Sequence, residues 1–73
     1  MDTYTRTQFN RGQVPAGKHA FVSECIIAGW EGFFSVDIRT ADGTQIGYCR
    51  VPYRTGVYAV MEDYGVNVKI EGE

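Results

Sequence analysis

The sequence predicts a small α+β domain, in which an antiparallel β-sheet of about four strands carries one short helix and follows an N-terminal arm. Short runs of β-branched and aromatic residues are separated by glycine-containing turns, which is typical of strands. One later segment instead has apolar residues at three- and four-residue spacing, which indicates a helix. The chain has 73 residues, of which 44% are hydrophobic, enough for one small core. The predicted order of elements is β-β-β-α-β.

Residues 1–17 are predicted to form a flexible N-terminal arm, and residues 18–73 a single compact α+β domain. The arm is rich in Thr, Gln, Asn and Arg, lacks a sustained apolar period, and ends at Pro15 and Gly17. Such a segment is either a tail without a role or one that becomes ordered on binding. In the second case its anchors are the aromatic and arginine side chains Tyr4, Arg6, Phe9 and Arg11.

The first two strands are predicted at residues 20–28 and 33–39. The first run is bounded by glycines and has apolar residues on both of its faces, which indicates a central strand covered on both sides. The second alternates cleanly, so Phe34, Val36 and Ile38 are expected to point into the core.

The turn at residues 40–44 sets the register between the second and third strands. A turn that pairs its two end threonines and closes through a left-handed Gly43 places Ile38 opposite Ile46. A tighter two-residue turn would place Ile38 opposite Gly47 and Arg39 opposite Ile46, which would mix apolar with polar neighbours. We therefore favour the first register.

After Pro52 interrupts the third strand, residues 57–64 are predicted to be a short helix that ends at Gly65. Two acidic residues near its C-terminal end are slightly unfavourable there, so a fourth strand at residues 57–61 is the alternative. Residues 66–71 alternate strictly between apolar and polar side chains and predict a half-buried last strand.

No catalytic, metal-binding or cofactor-binding pattern is recognisable. His19, Cys25 and Cys49 are the strong nitrogen and sulfur ligands, and they lack the close spacing that places ligands around a metal ion. We expect His19 to be exposed at the arm boundary and both cysteines to be buried, reduced thiols. The acidic pair at residues 62–63 diverges on a helix rather than lining a cleft. These features argue against an enzyme.

The charge distribution favours a protein partner. Residues 1–19 carry three cationic side chains and one acidic one, whereas the remainder carries four and eight. An acidic body suits protein binding better than phosphate contacts. With no basic cluster followed by an apolar stretch at its start and no long apolar run, the chain is expected to be soluble and cytoplasmic, without a membrane partner.

Two further clusters are candidate contact sites. Trp30 lies with Phe33 at the tip between the first two strands, where it either plugs the core or anchors a partner. Arg50 and Arg54 flank Tyr53 in a segment that is either a solvated linker or a patch for carboxylates or phosphates.

In its length, and in the polar Thr- and Arg-containing arm that precedes a compact aromatic sheet domain, the whole chain resembles small bacteriophage-encoded regulators that bind host RNA polymerase. The resemblance implies a protein-binding module that inhibits transcription or permits antitermination in the host cytoplasm. The alternative is a small nucleic-acid-binding β domain, with stacking and phosphate contacts from Tyr4, Arg6, Phe9, Arg11, Arg50, Tyr53 and Arg54. The sequence leaves the oligomeric state open.

Overall fold

Five strands and two helices make up the computed structural model, which describes residues 2–66 and 68–71. They are β1 (Asp2–Tyr4), α1 (Arg6–Asn10), β2 (His19–Glu24), β3 (Phe34–Arg39), β4 (Gln45–Val51), α2 (Arg54–Tyr64) and β5 (Val68–Glu71). From β2 onward the order is β-β-β-α-β, as predicted. The predicted helix is confirmed as α2, and the alternative strand at residues 57–61 is wrong.

The sheet is mixed rather than antiparallel, which corrects the prediction. Its strand order is β1-β5-β2-β3-β4. The neighbours β2, β3 and β4 pair antiparallel, whereas β5 is parallel to both β1 and β2. The reason lies in the connection: α2 carries the chain back across the sheet, and a helical crossover of this kind joins parallel strands.

The N-terminal segment, predicted to be a flexible arm, instead contains strand β1 and helix α1, which the sequence analysis did not predict. β1 extends the sheet by pairing with β5. α1 begins with a reciprocal capping box, in which the Gln8 N–H donates to Thr5 Oγ1 at 3.1 Å and the Thr5 N–H donates to Gln8 Oε1 at 2.8 Å. Each side chain satisfies a backbone donor that the helix leaves free, so even a five-residue helix has a defined start.

The main core lies between α2 and one face of the sheet. Val57 and Met61 project from α2 onto β2 and β3, as the predicted helical spacing requires. The helix ends at Gly65, whose φ of 70° is the left-handed conformation predicted for it. The buried members of this core are Ala20, Val22, Val36, Ile38, Val57, Met61 and Val66.

A second cluster lies on the opposite face, between α1 and the strands β5 and β2. Phe21, Val68 and Ile70 are buried there, and the Phe9 ring meets the Phe21 ring edge-on at 4.8 Å between centroids. Tyr4 and Val14 also pack against the cluster. The N-terminal segment therefore covers apolar surface that the sheet would otherwise expose.

His19 is fully buried, which contradicts its predicted exposure. It is the first residue of β2, and its ring lies 5.5 Å from that of Phe9. His19 Nε2 is 2.7 Å from the Pro15 carbonyl oxygen. Because a carbonyl can only accept, Nε2 is the protonated nitrogen. The ring thus ties the segment after α1 to the sheet.

The observed strands differ from the predicted ones in two places. β2 ends at Glu24, so Ile26 and Ile27 lie in the following loop rather than in the strand. β5 is internal, and Lys69 is buried on the face predicted to be exposed. The Lys69 Nζ lies 3.1 Å from Glu71 Oε2. The predicted alternation at Asn67 falls outside the described residues.

The favoured register is correct at the turn and wrong beyond it. The Thr40 N–H donates to the Thr44 carbonyl at 2.9 Å, and Gly43 has a φ of 92°. A β-bulge then shifts the ladder, so that Ile38 pairs with Gly47. The reason lies on the α2 side: the ring of Tyr64 lies over Gly47 and fills the space that a side chain there would occupy.

Both cysteines are free, as predicted, but they are only partly buried. Cys49 packs against the main core, and this burial raises the pKa of its thiol. No helix among the described residues is both long and apolar enough to span a bilayer.

Candidate functional site

The face of the sheet opposite α2 is divided into two halves. α1 covers the half formed by β1, β5 and β2, whereas no described helix covers the half formed by β3 and β4. We call this second half the open face. Its side chains are those that the strand register places on the side away from α2, namely Ser35, Asp37, Arg39, Gln45, Tyr48 and Arg50.

Hydrogen bonds connect the polar side chains of the open face. Asp37 accepts from Arg39 Nε at 2.9 Å and from Gln45 Nε2 at 2.7 Å. The Tyr48 hydroxyl donates to Ser35 Oγ at 3.3 Å. These hydrogen bonds fix the side chains at a surface that is exposed to solvent, so the open face is ordered without an apolar cover.

Arg50 occupies the centre of an aromatic cluster at one end of the open face. Its guanidinium carbon lies 4.9 Å from the centroid of the Trp30 ring and 5.6 Å from that of Tyr48. Within residues 2–66 and 68–71 no carboxylate forms an ion pair with it, and its Nε is buried without a hydrogen-bond partner. The rings therefore contact a cationic group whose charge no acidic side chain of the described residues neutralises.

The loop between β2 and β3, residues 25–33, carries large apolar side chains into solvent, and we call it the apolar loop. Ile26 is 96% exposed, Ile27 53% and Trp30 38%. The loop is nevertheless ordered: the Trp30 N–H donates to the Ile27 carbonyl at 3.0 Å, and the Trp30 and Phe33 rings meet edge-on at 5.0 Å. Through Trp30 the apolar loop is continuous with the open face.

The candidate residues of the N-terminal segment are mostly engaged in packing. Tyr4 and Phe9 contact the buried cluster beneath α1. The Arg6 guanidinium lies 5.2 Å from the centroid of the Phe21 ring. Arg11 caps the C-terminal end of α1 and is exposed. The structure therefore gives the two aromatic residues a role in the fold.

The other four candidates fall into two pairs. Trp30 and Arg50 contact each other, as described above. Tyr53 and Arg54 lie at the start of α2, where Tyr53 is 70% exposed. Arg54 reaches Glu71 at 3.4 Å on the α2 side of the sheet. The structure thus does not bring Arg50 and Arg54 together around Tyr53.

A shallow groove lies beside Arg54, at the ends of the parallel strands β2 and β5. Its lining residues are Val22, Ser23, Glu24, Phe34, Arg54 and Glu71. A hydrogen bond from Lys69, assisted by the charge of Arg54, lowers the pKa of Glu71. Arg54 and Glu71 are thus already paired with each other on this side of the groove.

Ile26 and Ile27 of the apolar loop, and Tyr48 of the open face, were not among the sequence candidates. Ile26 and Ile27 were assigned to the first predicted strand, residues 20–28. The available signal was the pair of isoleucines directly before Ala28 and Gly29, since a strand that stops before a turn leaves such residues exposed.

In the described part of the chain, no three His, Cys, Asp or Glu side chains gather into a possible metal site. Comparison with known proteins gave no matching family model, no matching curated protein and no matching solved structure.

Proposed function

We propose that this protein is a protein-binding regulatory module, a phage-type regulator that acts on a host enzyme such as bacterial RNA polymerase. The observation that carries the proposal is the apolar loop, which exposes Ile26, Ile27 and Trp30 together. Contiguous apolar side chains of this size are unfavourable in water, and covering them with a partner recovers that free energy.

The residues next to the apolar loop are of the types that dominate protein interfaces. Trp, Tyr and Arg are enriched among residues whose truncation weakens binding most. Arg50 contacts the rings of both Trp30 and Tyr48, and all three side chains retain solvent-accessible surface. An apolar tip bordered by such residues has the anatomy of an interface core with a polar rim.

RNA polymerase is proposed as the target from the resemblance in length and build described above. The test uses the purified bacterial enzyme, immobilised for an affinity measurement and also used in promoter-dependent transcription. We expect binding and altered transcription with the natural sequence. The double substitution Ile26→Ser and Ile27→Ser should weaken binding about tenfold or more, because it removes the most exposed apolar surface.

Tyr53→Ser is the matched control, because the Tyr53 side chain is also largely exposed to solvent but lies outside the apolar loop. It should bind as the natural sequence does. If polymerase does not bind, the target is wrong. If the double variant binds any partner as tightly as the natural sequence, the apolar loop is not the interface.

Nucleic-acid binding is a second candidate function, favoured by one observation. Tyr48 is exposed on an uncovered sheet face beside Arg39 and Arg50, as in sheet-based binders that stack bases on aromatic side chains. Asp37 within the same face and the net charge of −2 oppose it. Fluorescence anisotropy with labelled single-stranded oligonucleotides distinguishes the two: micromolar binding that weakens steeply with salt would favour this alternative.

A further inference from the structure

The two edges of the sheet differ in length and in protection. β1 forms one edge with three residues, whereas β4 forms the other with seven. Proteins usually protect an edge by keeping it short, or by placing Pro, charged side chains (above all Lys) or a bulge in it. β4 contains neither Pro nor Lys, its one charged side chain is Arg50, which lies on the open face, and its bulge lies at one end, near Ile46. Its remaining length is therefore open to pairing.

The backbone groups that β4 offers to a partner can be identified. The Cys25 N–H donates to the Phe33 carbonyl at 2.9 Å, so Phe33 is directed toward β2. Because backbone groups alternate along a strand, Phe34 and every second residue after it are directed toward β4. Their partners in β4 are Val51, Cys49 and Gly47, whose backbone N–H and C=O groups are therefore directed toward β3. The intervening residues, Tyr48 and Arg50, direct their N–H and C=O groups outward.

The same two residues place their side chains on the open face. A strand that paired antiparallel with them would put the side chains directly opposite Tyr48 and Arg50 on that face as well. Arg50 has no acidic partner among the described residues, whereas Asp37 is already bonded to Arg39 and Gln45. Charge complementarity therefore favours an acidic side chain opposite Arg50.

We infer that β4 accepts an extended acidic segment of a partner protein as a sixth, antiparallel strand, with a carboxylate opposite Arg50. The inference rests on the proposed protein-binding function and names the part of the partner that is recognised. Backbone hydrogen bonds supply pairing, and Arg50 supplies the preference for acidic side chains, as in other cases of strand addition.

The test uses a synthetic seven-residue peptide in which glutamate alternates with valine, blocked at both ends. Titration into the ¹⁵N-labelled protein, followed by NMR, should shift the amides of Gln45–Val51 and slow hydrogen exchange at Tyr48 and Arg50. A second peptide has lysine at each glutamate, and a third has N-methylated glutamates. Both should bind at least about fivefold more weakly than the glutamate peptide. The second carries positive instead of negative charges, and the third lacks the backbone N–H donors of its glutamates.

Arg50→Gln should reduce affinity for the glutamate peptide about fivefold, while the matched charge change Arg11→Gln should leave it unaltered. Equal binding of the glutamate and lysine peptides, or shifts that avoid β4, would overturn the inference. So would a concentration-dependent shift of β4 without peptide that the peptide does not reverse, because a second copy would then occupy the edge.

This outcome is separable from that of the proposed function. The proposed function is tested through Ile26 and Ile27 with whole RNA polymerase, and the strand addition is tested through Arg50 with a peptide. Loss of polymerase binding in the loop variant, combined with no peptide response at β4, would reject strand addition alone. A peptide response at β4 without polymerase binding would reject that target alone.

Discussion

On the sheet face opposite α2, the half covered by α1 and the uncovered half carry different kinds of side chain. Under α1 the strands present Phe21, Val68 and Ile70, whereas the uncovered half presents Ser35, Asp37 and Tyr48. The change is abrupt, because Phe21 and Asp37 are paired neighbours on adjacent strands. The covered half is built as a core, and the open half as a hydrogen-bonded surface that retains its contact with water.

This difference separates residues needed for folding from residues available for binding. Substitutions in the covered half should lower the free energy of unfolding strongly, whereas those in the open half should lower it little. Equal losses in the two halves would contradict this expectation.

The largest effect is expected beneath α1. Ile70 is fully buried, so Ile70→Ala should lower the free energy of unfolding by about 3 kcal/mol, through lost burial and the cavity that remains. Tyr48→Ala on the open face should cost less than about 1 kcal/mol, because half of that side chain is already in water. Urea denaturation of both variants measures the contrast, and similar costs would remove the distinction.

Helix α1, which covers this half of the sheet, should also contribute substantially to the free energy of unfolding. Phe9→Ala removes the ring that packs edge-on against Phe21 and His19, and we expect a loss of about 2 kcal/mol in the free energy of unfolding. Arg11→Ala, on the exposed end of the same helix, is the control and should change it by less than about 0.5 kcal/mol. An unchanged Phe9→Ala variant would mean that α1 does not stabilise the sheet.

The sequence predicted the elements whose signals are local. The helical spacing around Val57 and Met61, the left-handed Gly65 and the Thr40 to Thr44 turn are all present in the structure. Each depends on residues close together in the chain. Even so, the capping box at Thr5 was missed, because its helix is too short to show an apolar period.

What the sequence could not predict depends on distant strands. The parallel entry of β5, and the resulting burial of Lys69, follow from where α2 crosses the sheet. The shift at Ile38 follows from Tyr64 covering Gly47. For the candidate site, Trp30 and Arg50 were identified, but their contact joins a side chain of the loop between β2 and β3 to one on β4, which is distant in the chain.

The contacts of Trp30, where the apolar loop meets the open face, should contribute less to the free energy of unfolding. Trp30→Ala removes the contacts with Phe33 and Arg50 and should cost about 1 kcal/mol, since the side chain is only partly buried. A double-mutant cycle with Arg50→Gln should give a coupling of about 0.5 kcal/mol or more. A coupling of zero would show that Trp30 and the open face are energetically independent.

The smallest effect concerns the turn at the end of the open half, where polar contacts replace an apolar cover. The Asp42 carboxylate accepts hydrogen bonds from the Thr40 hydroxyl and, at 3.0 Å, from the Thr44 N–H. These bonds, with that of the Thr40 side chain foremost, lower the pKa of Asp42 to about 2 from its ordinary 3.8. The folded protein thus keeps this carboxylate charged at pH values where the unfolded chain has bound a proton.

The stability that Asp42 contributes is therefore present above pH 3.8 and is lost as the pH falls toward about 2. Asp42→Asn retains an oxygen acceptor but cannot titrate, so the difference in unfolding free energy between the natural sequence and this variant should shrink across that interval. NMR titration of the Asp42 carboxyl carbon, with urea denaturation of both proteins at several pH values, measures the two quantities. A carboxyl that titrates at 3.8 or above would show that the turn is not held by these bonds, and the open half would then need another source of order.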